Sequence, residues 1–144
     1  MEEIIKYGIV GHSKGNFDLE VATTFLRRQF EKIKNEHLNN SIEIVSGYTN
    51  LGIPKIAYEL AEEFGFITVG FSAKQALEIK SGVYPVKKVI LKGSKFGDES
   101  EDFVQYIDRL IRIGGGIQSR KETEMFKNLH GTKASKMLLT EFEV

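Results

Sequence analysis

The fifteen residues from Asp108 to Glu122, DRLIRIGGGIQSRKE, constrain the fold more than any other stretch. An apolar run of Leu110, Ile111 and Ile113 stops at three consecutive glycines, and a helix-start pattern follows at once, with Ser119 three residues ahead of Glu122. This reads as strand, glycine loop, helix. Glycines leave backbone N–H groups unshielded by any Cβ, and the first turn of the following helix offers unpaired donors at the positive end of its dipole. Phosphate is the expected guest of such a loop. The Ser-x-x-Glu spacing also fits a capping box, which would tie Glu122 back to its own helix terminus while leaving it at the mouth of the same pocket.

The rest of the chain repeats that alternation. Residues 4–10 (IIKYGIV) read as a first strand that exits into a polar loop, Gly11 to Asn16. Asp18 is placed to cap a helix whose apolar positions Val21, Ala22, Phe25, Leu26, Phe30 and Ile33 recur every three or four residues, ending near residues 35–40. A short strand at 42–46 leads to a second glycine loop, Gly47 to Pro54, with the proline in the first turn of the next helix. A third strand is expected at 66–71, then a short helix to Ile79 boxed by Ser72 and Gln75, and a fourth strand at 86–91. After a loop from Gly93 to Gly97, a helix is expected to carry Phe103, Val104 and Ile107, with Leu110 a further candidate, before the fifth strand and the triple glycine. Met125, Phe126 and Leu129 extend the last clear helix, and 137–144 is a candidate edge strand. Apolar strands alternating with amphipathic helices imply an α/β, Rossmann-like domain with a mainly parallel sheet covered on both faces.

Composition then removes whole classes of function. A chain of 144 residues matches one domain. Twenty basic residues against twenty acidic ones give no net field to attract nucleic acid or an anionic membrane, and no nucleic-acid partner is expected. The absence of cysteine excludes disulfides, thiolate zinc sites and cysteine nucleophiles. The acidic start and the lack of a long apolar run predict a cytoplasmic protein without membrane contact. No histidine–carboxylate spacing fits a metal site, and no cofactor is expected.

In open parallel sheets, ligands bind beyond the carboxyl ends of the strands, where strand order reverses. Three loops are candidates for that edge, and they supply the candidate contacts: Gly11, His12 and Ser13; Gly47, Thr49, Asn50 and Gly52; and Gly114, Gly115, Gly116, Gln118 and Ser119. Thr49 and Asn50 are equally candidates to cap the helix that follows them. Lys14, Lys95 and Arg120 are the nearby sources of positive charge. The first loop has the spacing GxxGxxxG over Gly8, Gly11 and Gly15, and strand two closes without an acid, so the dinucleotide fingerprint is not met; nor is GxxxxGK[ST] present. The acidic run Asp98 to Asp102 suits a helix N-terminus, and Asp98 or Glu99 is also a candidate for binding a ribose hydroxyl or an amino group.

These loops resemble proteins of the Lonely Guy type, a Rossmann-like superfamily once misannotated as lysine decarboxylases, which carry GGGxxGxM after the second strand and PGGxGTxxE after a later one. Gly47 to Pro54 (GYTNLGIP) takes the place of the first motif, keeping its outer glycines. Gly114 to Glu122 (GGGIQSRKE) takes the place of the second, with glycine for proline, glutamine for the third glycine and serine for threonine. Asp108 sits where the family has an aspartate ahead of its strand, and the likeness covers roughly residues 4–130. The family's phosphoribohydrolases pair the motif glutamate with an arginine on the preceding helix, in a stretch resembling MHxRKxxM, and here that place falls on Glu99.

The resemblance implies a homodimer or higher homo-oligomer that binds a nucleotide or nucleotide-derived phosphorylated ligand as sensor, carrier or sequestering protein. The alternative it implies is hydrolysis of an N-glycosidic bond, with Glu122 as the catalytic residue and an anion in place of the expected cation. Molybdenum-cofactor carriage and a DNA-processing role are the further versions that such a superfamily admits.

Overall fold

The structure, a computed structural model, describes residues 3–14, 16–80 and 82–144. Gly15, which closes the glycine spacing of the first loop, lies outside the described residues. The chain runs β1 (Ile4–Gly11), α1 (Leu19–Glu36), β2 (Ser41–Ser46), α2 (Gly52–Phe64), β3 (Ile67–Ser72), a 3-10 turn (Lys74–Glu78), β4 (Lys88–Leu91), α3 (Ser100–Tyr106), β5 (Arg109–Ile113), α4 (Ile117–His130), a π-helical turn (Ala134–Leu138) and β6 (Leu139–Phe142). All six strands pair in parallel, in the order β4-β3-β2-β1-β5-β6. The chain therefore steps outward in one direction from β1 to β4 and in the other from β5 to β6. The reversal lies between β1 and β5, where Gly11 is in register with Ile113.

The expected α/β architecture is thus observed, and its core shows why the strands read as apolar runs rather than as alternating ones. Ile9, Ile44, Ile111 and Ile113 face α1 and α2, where they meet Leu26, Phe30, Ile53 and Ala57. Their neighbours Val10, Val45 and Leu110 face the opposite way, onto Phe103, Val104 and Phe126 from α3 and α4. Both faces are covered, so successive residues are buried in turn. Asp18 caps α1 as expected, accepting from the Val21 N–H at 3.1 Å. Among the described residues no helix is long and apolar enough to cross a membrane.

Several local expectations are corrected. Helix α3 ends at Tyr106 with Ile107 as its C-cap, and Leu110 belongs to β5. Ser72 is the last residue of β3, not a cap; the short 3-10 turn follows Ala73, and Gln75 instead accepts the Phe96 N–H at 2.9 Å. Helix α2 starts after Leu51 with no side-chain cap, so neither Thr49 nor Asn50 serves there. Most consequentially, α4 begins at Ile117 with Gly116 as its N-cap, again without a side-chain cap. Ser119 and Glu122 lie inside the helix, so no capping box holds Glu122 at the terminus.

Candidate functional site

The carboxyl ends of β1, β2 and β3 and the N-termini of α2, α3 and α4 meet around a cavity of about 210 Å³. From the strands come Val10, Gly11, Ser46, Phe71 and Ser72; from the loops and helix starts come Ser13, Gly47, Thr49, Pro54, Phe96, Glu99, Gly116, Ile117, Gln118, Ser119 and Glu122. The three glycine loops do converge on this edge, each contributing part of the wall. Of the expected contacts, Gly11, Ser13, Gly47, Thr49, Glu99, Gly116, Gln118, Ser119 and Glu122 line it, whereas His12, Asn50, Gly52, Gly114 and Gly115 do not.

Those five have other positions. The His12 ring stacks on Phe17 at 4.9 Å and its Nε2 lies 2.8 Å from the Val144 carbonyl oxygen, on the side away from the cavity. A Cβ at Gly52 would meet the backbone of His12 and Ser13, where the first and second loops approach closely. The Asn50 N–H donates to the Gly82 carbonyl at 3.0 Å, and its side-chain Oδ1 is buried with no partner among the described residues.

The triple glycine divides into two functions. Gly114 and Gly115 adopt φ of +57° and +110°, a region that side chains rarely enter. A Cβ on Gly114 would strike the His12 ring, and one on Gly115 would strike Ser119 Oγ. Both are required by the turn. Gly116 has an ordinary φ of −101°, and a Cβ there would meet nothing within 4 Å. Its missing side chain leaves the cavity open rather than relieving a clash in the fold. Behind the loop, the buried Arg112 donates to the Gly114 carbonyl and to Glu143, both at 2.8 Å, which fixes the loop from its rear.

The first intrahelical bond of α4 runs from the Arg120 N–H to the Gly116 carbonyl at 3.2 Å. The N–H groups of Ile117, Gln118 and Ser119 precede it and have no intrahelical acceptor. They lie at the helix's positive end beside the cavity, so the arrangement can receive an anion through backbone donors alone. Among the described residues no lysine, arginine or histidine lines the cavity. Arg120 is engaged elsewhere, with Glu143 at 3.0 Å and the Gly115 carbonyl at 3.2 Å.

Two buried glutamates lie beside the first turn of α4, Glu99 at 3% and Glu122 at 6% exposure, both within reach of the Gln118 side chain. Glu99 Oε1 accepts the Gly97 N–H at 2.8 Å. Glu122 Oε2 accepts from the Ser100 hydroxyl at 2.8 Å. The Gln118 amide nitrogen reaches both, donating to Glu99 Oε2 at 3.3 Å and to Glu122 Oε2 at 3.4 Å. Burial pushes the Glu122 carboxyl up to about 7; the bonds from Ser100 and Gln118 favour its charged form, and the neighbouring Glu99 carboxylate opposes it. A carboxyl that titrates near neutrality in a cavity is suited to accepting a proton or a hydrogen bond from a ligand.

Sequence reasoning missed Ser46, Ser72, Phe71, Phe96, Phe103 and Ile117 as lining residues. Ser46 and Ser72 had a legible signal, since each ends a strand at the same edge. Phe96, Phe103 and Ile117 had none, because their approach depends on how α3 and α4 pack across the sheet.

No protein-family model matches the sequence, and no curated protein matches it. In structure, the chain is similar to the molybdenum cofactor carrier protein of Chlamydomonas reinhardtii, with a TM-score of 0.68 and 15% identity over 98% of this chain and 89% of that one. It is likewise similar to the molybdenum cofactor binding protein of the phototrophic bacterium Rippkaea orientalis, with a TM-score of 0.68 and 16% identity over 100% of this chain and 78% of that one. At these identities the likeness establishes a shared Rossmann-like fold.

Proposed function

We propose that this protein binds a nucleotide or nucleotide-derived phosphorylated ligand, as a carrier, sensor or sequestering protein, with the phosphate on the N-terminus of α4 and the rest of the ligand in the adjoining cavity. One observation carries this reading: Gly116, free of any packing role, opens the unpaired N–H groups of Ile117, Gln118 and Ser119 onto a cavity at the point where strand order reverses. The resemblance of its glycine loops to the Lonely Guy type accords with it. So does the fold shared with two proteins whose names describe carriage or binding of the molybdenum cofactor.

A second reading has its own support. Glu122, buried, raised to about 7 and without a partner on Oε1 among the described residues, has the properties of a general base for cleaving an N-glycosidic bond. Against it stands Glu99, an anion where the related hydrolases place an arginine. A cation there would stabilise a developing negative charge, and an anion opposes it.

Native mass spectrometry of the protein with a panel of nucleoside monophosphates, paired with chromatography for released base, separates the two readings. Retained nucleotide without base release is the expected result. Robust base release that disappears in Glu122→Gln would replace carriage with hydrolysis, and neither retained nucleotide nor released base from any member of the panel would overturn both.

A further inference from the structure

The two glutamates pose a question that phosphate binding leaves open: what they recognise. Ser100 and Gln118 both donate to Glu122 Oε2. Among the described residues, Glu122 Oε1 has no hydrogen-bond partner, although the residue is 6% exposed and lines the cavity. That oxygen is open to the cavity rather than sealed in the protein, so it can accept from a donor on a ligand. One amide nitrogen of Gln118 reaches Oε2 of each carboxyl, so Glu99 and Glu122 are neighbours, and Glu122 Oε1 is the oxygen left without a partner among the described residues. Among the described residues no group of three or more His, Cys, Asp or Glu is placed to hold a metal ion, so an organic donor fits better than a chelated cation.

The walls next to the pair are apolar and aromatic. Phe103 stands one helical turn beyond Glu99 and meets Phe71 edge to face at 5.7 Å, while Phe96 and Ile117 flank the mouth. Such walls suit a planar heterocycle rather than a sugar. Among the common nucleobases only guanine sets two N–H donors side by side, its ring N1–H and its exocyclic 2-amino group. Adenine and cytosine place an acceptor beside their amine, and uracil flanks its N–H with two carbonyls.

Resting on the phosphate reading above and deepening it, we infer that the cavity selects a guanine-type base, the 2-amino-4-oxopyrimidine edge donating to Glu122 Oε1 and to Glu99 while the ring packs against Phe96, Phe71 and Phe103.

Calorimetric titration at pH 8, where Glu122 is ionised before the ligand arrives, tests this with guanosine, inosine, adenosine and 2′-deoxyguanosine monophosphates. Guanosine monophosphate is expected to bind tightest. Inosine monophosphate, lacking only the 2-amino group, is expected to bind about tenfold more weakly or worse, the weight of one hydrogen bond to a charged group. The 2′-deoxy compound should match the guanosine compound within about a factor of two. Glu122→Met, and Glu99→Gln should the first variant fail to fold, should bring the guanosine and inosine affinities together. Equal wild-type affinities for guanosine and inosine monophosphates would overturn the inference and leave the phosphate site standing. A large loss with the 2′-deoxy compound would overturn it in favour of sugar-hydroxyl recognition. No binding by any of the four would overturn it together with the phosphate reading.

Discussion

The Ser100 hydroxyl donates to Glu122 Oε2 at 2.8 Å, joining the first residue of α3 to the second turn of α4. Together with the longer contact from the Gln118 amide, that bond occupies Oε2 and leaves Oε1 without a partner among the described residues. Burial pushes the carboxyl up to about 7 in spite of it, with the neighbouring Glu99 adding to the rise.

Stability should therefore fall with pH through a definable window. Glu122 has a folded value raised to about 7 against an ordinary 4.5, so below about 4.5 it is protonated in both states and costs nothing. As pH rises toward 7 the unfolded chain ionises freely and the folded one does not, and stability declines by on the order of 2–3 kcal/mol. Glu122→Gln removes this dependence. Thermal melts should show the variant clearly more stable than the wild type at pH 8 and nearly equal at pH 4; identical curves at pH 8 would mean that the carboxyl is not buried as described.

Ser100→Ala tests the bond itself. A hydrogen bond to an ionised group is worth about 1.5–3 kcal/mol and one to a neutral group about half that. The variant should lose more stability at pH 8 than at pH 4, as read by urea denaturation, and its Glu122 carboxyl should titrate above the wild-type value in carbon-13 NMR.

The adjacent glycines 115 and 116 should respond in opposite ways. Gly115→Ala places a side chain at φ +110° against Ser119 Oγ and the Gly11 backbone, and should cost about 2 kcal/mol or more. Gly116→Ala, whose Cβ meets nothing within 4 Å, should melt within about 0.5 kcal/mol of wild type. Equal losses at the two positions would contradict the division of the loop into a structural and an open part.

Assembly is a further expectation, carried by the resemblance to the Lonely Guy type. Helix α4 and the turn after it expose Leu129 at 54% and Met137 at 68%, apolar surface available to a second copy. Sedimentation at tens of micromolar should give a species of twice 16.3 kDa, and a purely monomeric boundary would remove the expectation.

How much of this was legible in the sequence depended on the range of the interaction. The strands and helices declared themselves through the burial of both sheet faces, as in the pairs Ile9 with Val10 and Ile44 with Val45. Asp18 was legible as a cap because its partner, the Val21 N–H, is three residues away. The Ser119 and Glu122 spacing misled for the same reason. A local pattern matched a capping box, but a glycine N-cap lacks the side chain that would mark the true start of α4 three residues earlier. The contact between Ser100 and Glu122 spans 22 residues and depends on α3 packing beside α4, which no local spacing encodes. That packing is also what turned Glu99 from one acid in an exposed-looking run into a buried wall of the cavity.

The central claim is that phosphate is held by backbone donors opened to the cavity by Gly116, and calorimetric titration of guanosine monophosphate into wild type and Gly116→Val tests it most directly. The variant should keep its cooperative melt and lose affinity by about a hundredfold or more, the weight of two hydrogen bonds to a charged group. A folded Gly116→Val protein that binds the nucleotide as tightly as wild type would contradict the account.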